Sequence, residues 1–322
     1  METNHIAYSK WEILNKLLRK ISLGGFNITC VFDLWVMEKA MQKKSPVINP
    51  IDLAELMKQG NIVLIDARTG PDAREKYNAE HLEGAQFVDL EKDLAQKSAD
   101  PSDGGRHPLP GIQNFVELLG RLGIGKSTQV IVYDDKAGAN AAARFWWMVK
   151  ATGHENIQVL DGGLKKAVEA GLPLTNIIPN IKSQPPYPSD KWILPTADAD
   201  RVAKAAADPN YLVIDVREAY RFRGESEPFD LIAGHIPGAV NIPYTGNLDE
   251  DGNFFPAEKL AEIYKEAIGD HGPEQVIVHC GSGVTACHTL LAMEQAGIET
   301  PNLYVGSWSE WSRNDRPVAV GQ

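Results

Sequence analysis

The chain repeats itself. Asn61-Ile-Val-Leu-Ile-Asp66-Ala-Arg68 returns as Asn210-Tyr-Leu-Val-Ile-Asp215-Val-Arg217, and His81-Leu-Glu-Gly84-Ala85 returns as His235-Ile-Pro-Gly238-Ala239. Gln129-Val-Ile-Val-Tyr-Asp134 returns as Gln275-Val-Ile-Val-His-Cys280, Gly162-Gly163 as Gly306-Ser307, and Pro173 as Pro317. The matches keep their order and lie about 150 residues apart, drifting only by loop-sized amounts. Chance recurrence does not preserve order, so the chain reads as one kind of domain built twice. A length of 322 residues also exceeds one ordinary core and suits two.

Each copy alternates short apolar strands with helical stretches. In the second copy, 211–215 and 276–279 are continuous, β-branched and short, as strands are, while 258–268 and 284–296 carry helical patterns. Apolar strands separated by helices imply a parallel sheet with helices on both faces, an α/β fold. Between the copies, Pro179, Pro185, Pro186, Pro188 and Pro195 block both helix and sheet ladders and predict an extended connector over 179–195. The expected domains are therefore 46–178 and 196–322.

Residues 1–45 read differently. Trp11, Ile13, Leu14, Leu17, Leu18 and Ile21 recur at helical spacing, with Lys10, Lys16, Arg19 and Lys20 on the other face. Glu12, Lys16, Arg19 and Lys20 interrupt the apolar run that a secretory signal needs, and Glu2, Glu12, Asp33 and Glu38 argue against a mitochondrial presequence. The segment reads either as an appended amphipathic helix or as an over-extended start, with Met41 as the true first residue. Neither reading carries chemistry.

The net charge of −11 gives the chain no general attraction to a phosphate backbone, so no nucleic-acid partner is expected. No apolar run is long enough to suggest a membrane span. Three cysteines make no disulfide framework, and they suit a reducing, cytoplasmic compartment in which a single thiol can serve chemistry.

That thiol is Cys280, in Val276-Ile-Val-His-Cys280-Gly-Ser-Gly-Val-Thr285-Ala286. A strand ends, a Gly-Ser-Gly turn follows, and a helix begins. Ligands of parallel sheets bind beyond the carboxyl ends of the strands. A short loop into a helix start aims backbone N–H groups and partial positive charge at one spot, where a thiol becomes a ready nucleophile. Gly281 and Gly283 let the backbone curl around the sulfur. A buried structural cysteine needs no such cradle. Cys287, two helical turns on, reads as core, and Cys30 is assigned nothing. The first copy has Asp134 at the matching position, so it keeps the fold without the nucleophile.

Asp215-Val-Arg217, Gly234-His-Ile-Pro-Gly238, the Cys280 loop and Gly306-Ser-Trp308-Ser-Glu-Trp311 together resemble the rhodanese superfamily, and within it the tandem-domain 3-mercaptopyruvate sulfurtransferases. The resemblance covers about residues 47–320. It implies two rhodanese-like domains with the site at their interface. It also implies a Cys280 thiolate that takes sulfur from a donor as a persulfide and passes it to cyanide, a thiol, thioredoxin or another dithiol, with no cofactor or metal. Gly281, Gly283, Val284 and Thr285 would form the substrate-facing cradle. Thiosulfate-preferring relatives carry Arg and Lys directly after the cysteine. The neutral Gly281 and Ser282 favour instead a donor whose carboxylate is held elsewhere, such as 3-mercaptopyruvate, with thiosulfate as the alternative.

Arg221 stands where the family places a substrate arginine. Arg217 is expected to pair with a structural carboxylate, and Arg223 to face solvent. Ser282 is expected to bond the leaving enolate or the donor carbonyl, to cap the following helix, or both. Some members use an Asp and a His from the first domain beside this serine; Asp72 and His81 fit that spacing, and His107, in Arg106-His-Pro-Leu-Pro110, is a further candidate to face the cleft. His81, however, has a twin in His235, which speaks for a structural role. The family's second substrate arginine, after Glu-Pro, is missing: Phe229-Asp230 follows Glu227-Pro228. Val305 stands where the family has Asp.

Three rival readings fit less of the sequence. A cysteine phosphatase needs an Arg closing the Cys loop, and none follows Cys280. A cysteine hydrolase needs a His beside the thiol, but His279 points to the opposite face of its strand. A non-catalytic scaffold fits the first copy only.

Overall fold

A computed structural model describes residues 44–96 and 100–321, so the reading of the N-terminal segment, Cys30 included, lies outside the described residues. The strands are β1 (Val47–Ile48), β2 (Ile62–Asp66), β3 (His81–Leu82), β4 (Ala85–Phe87), β5 (Gln129–Tyr133), β6 (Ile157–Leu160), β7 (Leu174–Thr175), β8 (Thr196–Ala197), β9 (Leu212–Asp215), β10 (Val240–Asn241), β11 (Val276–His279) and β12 (Asn302–Tyr304). They build two five-stranded parallel sheets, in the orders β1-β6-β5-β2-β4 and β8-β12-β11-β9-β10. The two orders are one order: each strand of the first sheet has its repeat partner at the same place in the second. Both are α/β layers with helices on either face. Strands β3 and β7 form a small antiparallel ribbon, which the second half echoes as the His235–Ala319 bridge.

The duplication extends to single hydrogen bonds. Arg68 Nε and Nη2 bind the Asp66 carboxylate at 3.0 and 2.6 Å, and Arg217 binds Asp215 at the same 3.0 and 2.6 Å. His81 stacks on Tyr77 and bonds its carbonyl; His235 stacks on Phe222 and bonds its carbonyl.

The halves share a core. One apolar cluster runs from Phe115, Phe145 and Trp146 in the first half to Cys287, Leu290 and Leu291 in the second. At its centre, helix Ala141–Ala151 packs on helix Ala286–Gln295. Every residue of Ala141–Ala151 is buried, which explains why its sequence is apolar almost all round. Separate clusters sit on the outer face of each sheet. The proline-rich stretch runs as coil along helix Ile112–Arg121: Gln184 and Tyr187 donate to the Gly120 and Val116 carbonyls, and a Cβ on Gly120 would meet Pro185 O at 2.7 Å. With both sheets set against one shared core, the carboxyl ends of β5 and β11 open into the same cleft.

Candidate functional site

Strand β11 delivers Cys280 to the floor of a cleft of about 460 Å³, where it is 3% exposed. The loop after it is held from below. Trp308 N–H donates to Cys280 O at 3.0 Å, and Ser309 N–H to Gly281 O at 2.8 Å. Cys280 N–H donates to Ser307 Oγ at 3.2 Å. Ser307 lies in the left-handed region at φ 53°, a strained place for a non-glycine residue that its hydroxyl bonds to Cys280 N–H and Tyr304 O help to hold. Gly163 occupies the matching position in the first half at φ 60°. Gly283 turns the loop at φ 72°, and a Cβ there would stand 2.3 Å from Val305 O. Val284 is buried and Thr285 half-buried along the wall. The helix starts at Ala286, later than its sequence pattern suggests, because 282–285 form the turn; its N-cap is Thr285, so Ser282 does not cap it.

Ser282 has a different partner. Its hydroxyl lies 2.7 Å from His107 Nδ1, and His107 Nε2 lies 3.0 Å from Glu91 Oε1. A carboxylate only accepts, so Nε2 carries the proton and Nδ1 is left to accept from Ser282 O–H. Burial pushes His107 below its ordinary pKa; Glu91 opposes this, and Arg106 and Arg144 add to it. The imidazole is therefore neutral at neutral pH. The candidate pair Asp72 and His81 is not brought to this place. Asp72 is exposed at the start of helix Ala73–Ala79 and pairs with Lys76 at 3.0 Å. His81 is sealed into the ribbon between the Tyr77 and Ile177 carbonyls, as its twin His235 suggests. The histidine and carboxylate beside Ser282 are His107 and Glu91. Glu91 was not legible in the sequence, since nothing in the repeat marks it.

Two arginines approach the cysteine loop. A Cβ on Gly281 would stand 3.2 Å from Arg221 Nη2 and 3.3 Å from Arg106 Nη2, so any side chain there would crowd both guanidinium groups. Arg221 is held by Glu227, Nη2–Oε1 2.8 Å and Nε–Oε2 3.1 Å, and by Glu218 at 3.3 Å. Arg106 comes from the other half. Its Nε binds the buried Asp230 at 3.1 Å, and its backbone N–H donates to Ser309 Oγ. Gly105 makes that approach possible, since a Cβ there would stand 2.4 Å from Gly306 O. Sequence reasoning looked for a second arginine beside Glu227-Pro228 and missed Arg106, which reaches the cleft through Asp230 instead. Arg217 is spent on Asp215, Glu227 and the Gly234 carbonyl, and Arg223 is partly exposed on Glu225.

Cys287 is fully buried, and burial pushes its thiol up to about 12; it is inert core. Among the described residues no cluster of His, Cys, Asp or Glu could hold a metal, and no helix is long and apolar enough to cross a membrane.

A family model described as a rhodanese-like domain matches the chain twice, over residues 49–170 and 198–314. The probable 3-mercaptopyruvate sulfurtransferase of Pseudomonas aeruginosa is 39% identical over 281 residues, covering 84% of this chain and 96% of its own. The 3-mercaptopyruvate sulfurtransferase of Homo sapiens is 38% identical over 259 residues, covering 79% and 84%. The crystal structure of the 3-mercaptopyruvate sulfotransferase SseA from Escherichia coli superposes with a TM-score of 0.69 at 30% identity, covering 83% of this chain and all of that one.

Proposed function

The chain belongs to the rhodanese family, and we propose that it is a sulfurtransferase that takes sulfur from 3-mercaptopyruvate onto Cys280 and hands it to a thiol or to cyanide. The Cys280 thiolate attacks the donor's sulfur. The S–S bond forms as the donor's C–S bond breaks, and the electron pair leaves on the pyruvate enolate. The sulfhydryl proton passes through Ser282 to His107 Nδ1 and returns by the same route to the enolate carbon, giving pyruvate and a Cys280 persulfide. Glu91 fixes the tautomer and stabilises the imidazolium in between. Arg106 and Arg221 hold the donor carboxylate above Gly281. The backbone cradle of Gly281, Gly283, Val284 and Thr285 carries the negative charge of thiolate and persulfide. In the second half-reaction an acceptor thiolate, from a small thiol, thioredoxin or another dithiol, or else cyanide, attacks the outer sulfur, and Cys280 leaves as thiolate. Two half-reactions on one covalent carrier give ping-pong kinetics. A free thiolate carrier suits a reducing, cytoplasmic setting.

The observation that carries this reading is the 2.7 Å contact between Ser282 and His107, backed by Glu91. Such a relay serves a donor with a proton to move and an enolate to receive it. Thiosulfate has neither. His107→Gln should therefore lower kcat/KM for 3-mercaptopyruvate by about a hundredfold and leave thiosulfate turnover close to the parent's. Equal losses on both donors would remove the relay, and a parent enzyme that prefers thiosulfate would reverse the donor assignment.

A further inference from the structure

The loop over 225–233 borders the cleft through Phe229 and turns its apolar side chains outward: Phe229, Leu231 and Ile232 are all exposed. The Asp230 side chain goes the other way and is wholly inaccessible. A carboxylate sealed in from so exposed a loop needs cations around it. Asp230 has three. Its Oδ1 accepts from Arg106 Nε at 3.1 Å and from Arg313 Nη1 at 2.8 Å. Its Oδ2 lies 3.5 Å from Arg106 Nη2 and 3.8 Å from Arg221 Nη2.

Those two Nη2 atoms are the ones that approach Gly281. Two guanidinium groups converging on one point repel each other, and an anion in contact with both offsets the repulsion. Arg221 has further acids in Glu227 and Glu218, but Arg106 has no other carboxylate partner among the described residues. One oxygen of Asp230 therefore joins an arginine of the first half to one of the second. The Phe229 ring, 5.0 Å from Arg221 Cζ and 5.9 Å from Arg106 Cζ, adds an uncharged cover on the solvent side. We infer that Asp230 is a positioning residue that sets the charge of the donor this cleft accepts: its fixed carboxylate leaves the arginine pair room for one further negative charge. A monocarboxylate donor such as 3-mercaptopyruvate meets that demand. Thiosulfate, a dianion, brings a second charge against Asp230, and like charges at such range repel. Glu218 and Glu227 stand against Arg221, and Lys136 and Arg217 line the same cleft or its wall, but none of them touches both Nη2 atoms. The inference rests on Arg106 and Arg221 holding the donor.

The test is the ratio of kcat/KM for thiosulfate to that for 3-mercaptopyruvate, with cyanide as acceptor. Asp230→Asn keeps the shape and an accepting oxygen for Arg106 but removes the charge. It should raise the ratio about tenfold, the effect of one charge at short range in a partly screened site. Asp230→Glu, which keeps the charge, should stay near the parent's ratio. A brace for the fold would lower both donors alike, so an unchanged ratio in Asp230→Asn overturns the proposal, as does an equal rise in Asp230→Glu. If Asp230→Asn does not fold, inhibition of the parent decides: propionate, with one carboxylate, should inhibit more tightly than malonate, with two, and the reverse order overturns the proposal. The ratio can be read whichever donor the parent prefers. Failure of the underlying reading looks different: Arg106→Ala and Arg221→Ala would leave KM for both donors unchanged.

Discussion

An arginine in this cleft either braces the fold or faces the substrate, and its partners decide which. Arg217 spends its donors on Asp215, Glu227 and the Gly234 carbonyl and lies 4.6 Å from the Trp308 ring. Burial pushes Asp215 up, but Arg217 and His279 outweigh it and hold the carboxyl below its ordinary value. Arg68 and Asp66 repeat the arrangement where no nucleophile exists, so it belongs to the fold. Arg221 and Arg106 are each anchored on a carboxylate, Glu227 and Asp230, and each brings the Nη2 of that anchored edge close to Gly281. Arg106→Ala should raise KM for 3-mercaptopyruvate about tenfold with a smaller effect on kcat, the loss of one charge-assisted contact. Steady-state kinetics check this, and an unchanged KM would leave Arg106 a mere brace for Asp230. Arg221 was legible in the sequence because, among the three arginines past that strand end, it stands where the family pattern places one. Arg106 was not. It lies where the repeat has no counterpart, and only the glycine contact at Gly105 brings it across.

The two loops that end β5 and β11 are one element with different contents. In the first half the buried Asp134 carboxylate accepts from the backbone N–H groups of Lys136, Gly138, Asn140 and Ala142, at 2.8 to 3.3 Å. That loop demonstrates what this turn does: it gathers N–H donors around a negative group. In the second half the matching turn follows Cys280 and lines the cleft. Its shape depends on Gly283, whose φ of 72° and contact with Val305 O leave no space for a Cβ. Gly283→Ala should destabilise the protein by about 1–3 kcal/mol and abolish most sulfur transfer while far-UV circular dichroism stays native. Retained activity would show that the turn does not set the geometry of the sulfur. Strand β11 was readable to the residue from its β-branched run. The helix start was misread by two residues, because apolar periodicity cannot tell a cradle turn from a first helical turn. Asp72 and His81 were misassigned for a related reason: spacing along one chain segment says nothing about which segment crosses the cleft.

At the scale of the whole molecule, the half that carries Asp134 in place of the cysteine is not idle. It supplies His107 and Glu91 to Ser282, Arg106 to the cleft, and the buried Arg144 beneath the cysteine loop. The duplication was legible because both sheets need the same strands in the same order. The division of labour was not, since it arises from docking the copies. That docking is guarded by a buried ion pair between the central helices, Lys150 Nζ to Glu294 Oε1 at 3.0 Å. Lys150→Met should cost about 3–5 kcal/mol, because it breaks the buried pair that joins the two helices. Chemical denaturation reads this, and an unchanged midpoint would mean the shared apolar core alone holds the halves together. The central claim is that one thiol, Cys280, carries the sulfur. It is tested most directly by cyanide-dependent thiocyanate formation from 3-mercaptopyruvate and from thiosulfate, on the parent and on Cys280→Ala. The account predicts that the parent prefers 3-mercaptopyruvate and that the variant is inactive with both donors. Full activity in Cys280→Ala, or none in the parent with either donor, would contradict it.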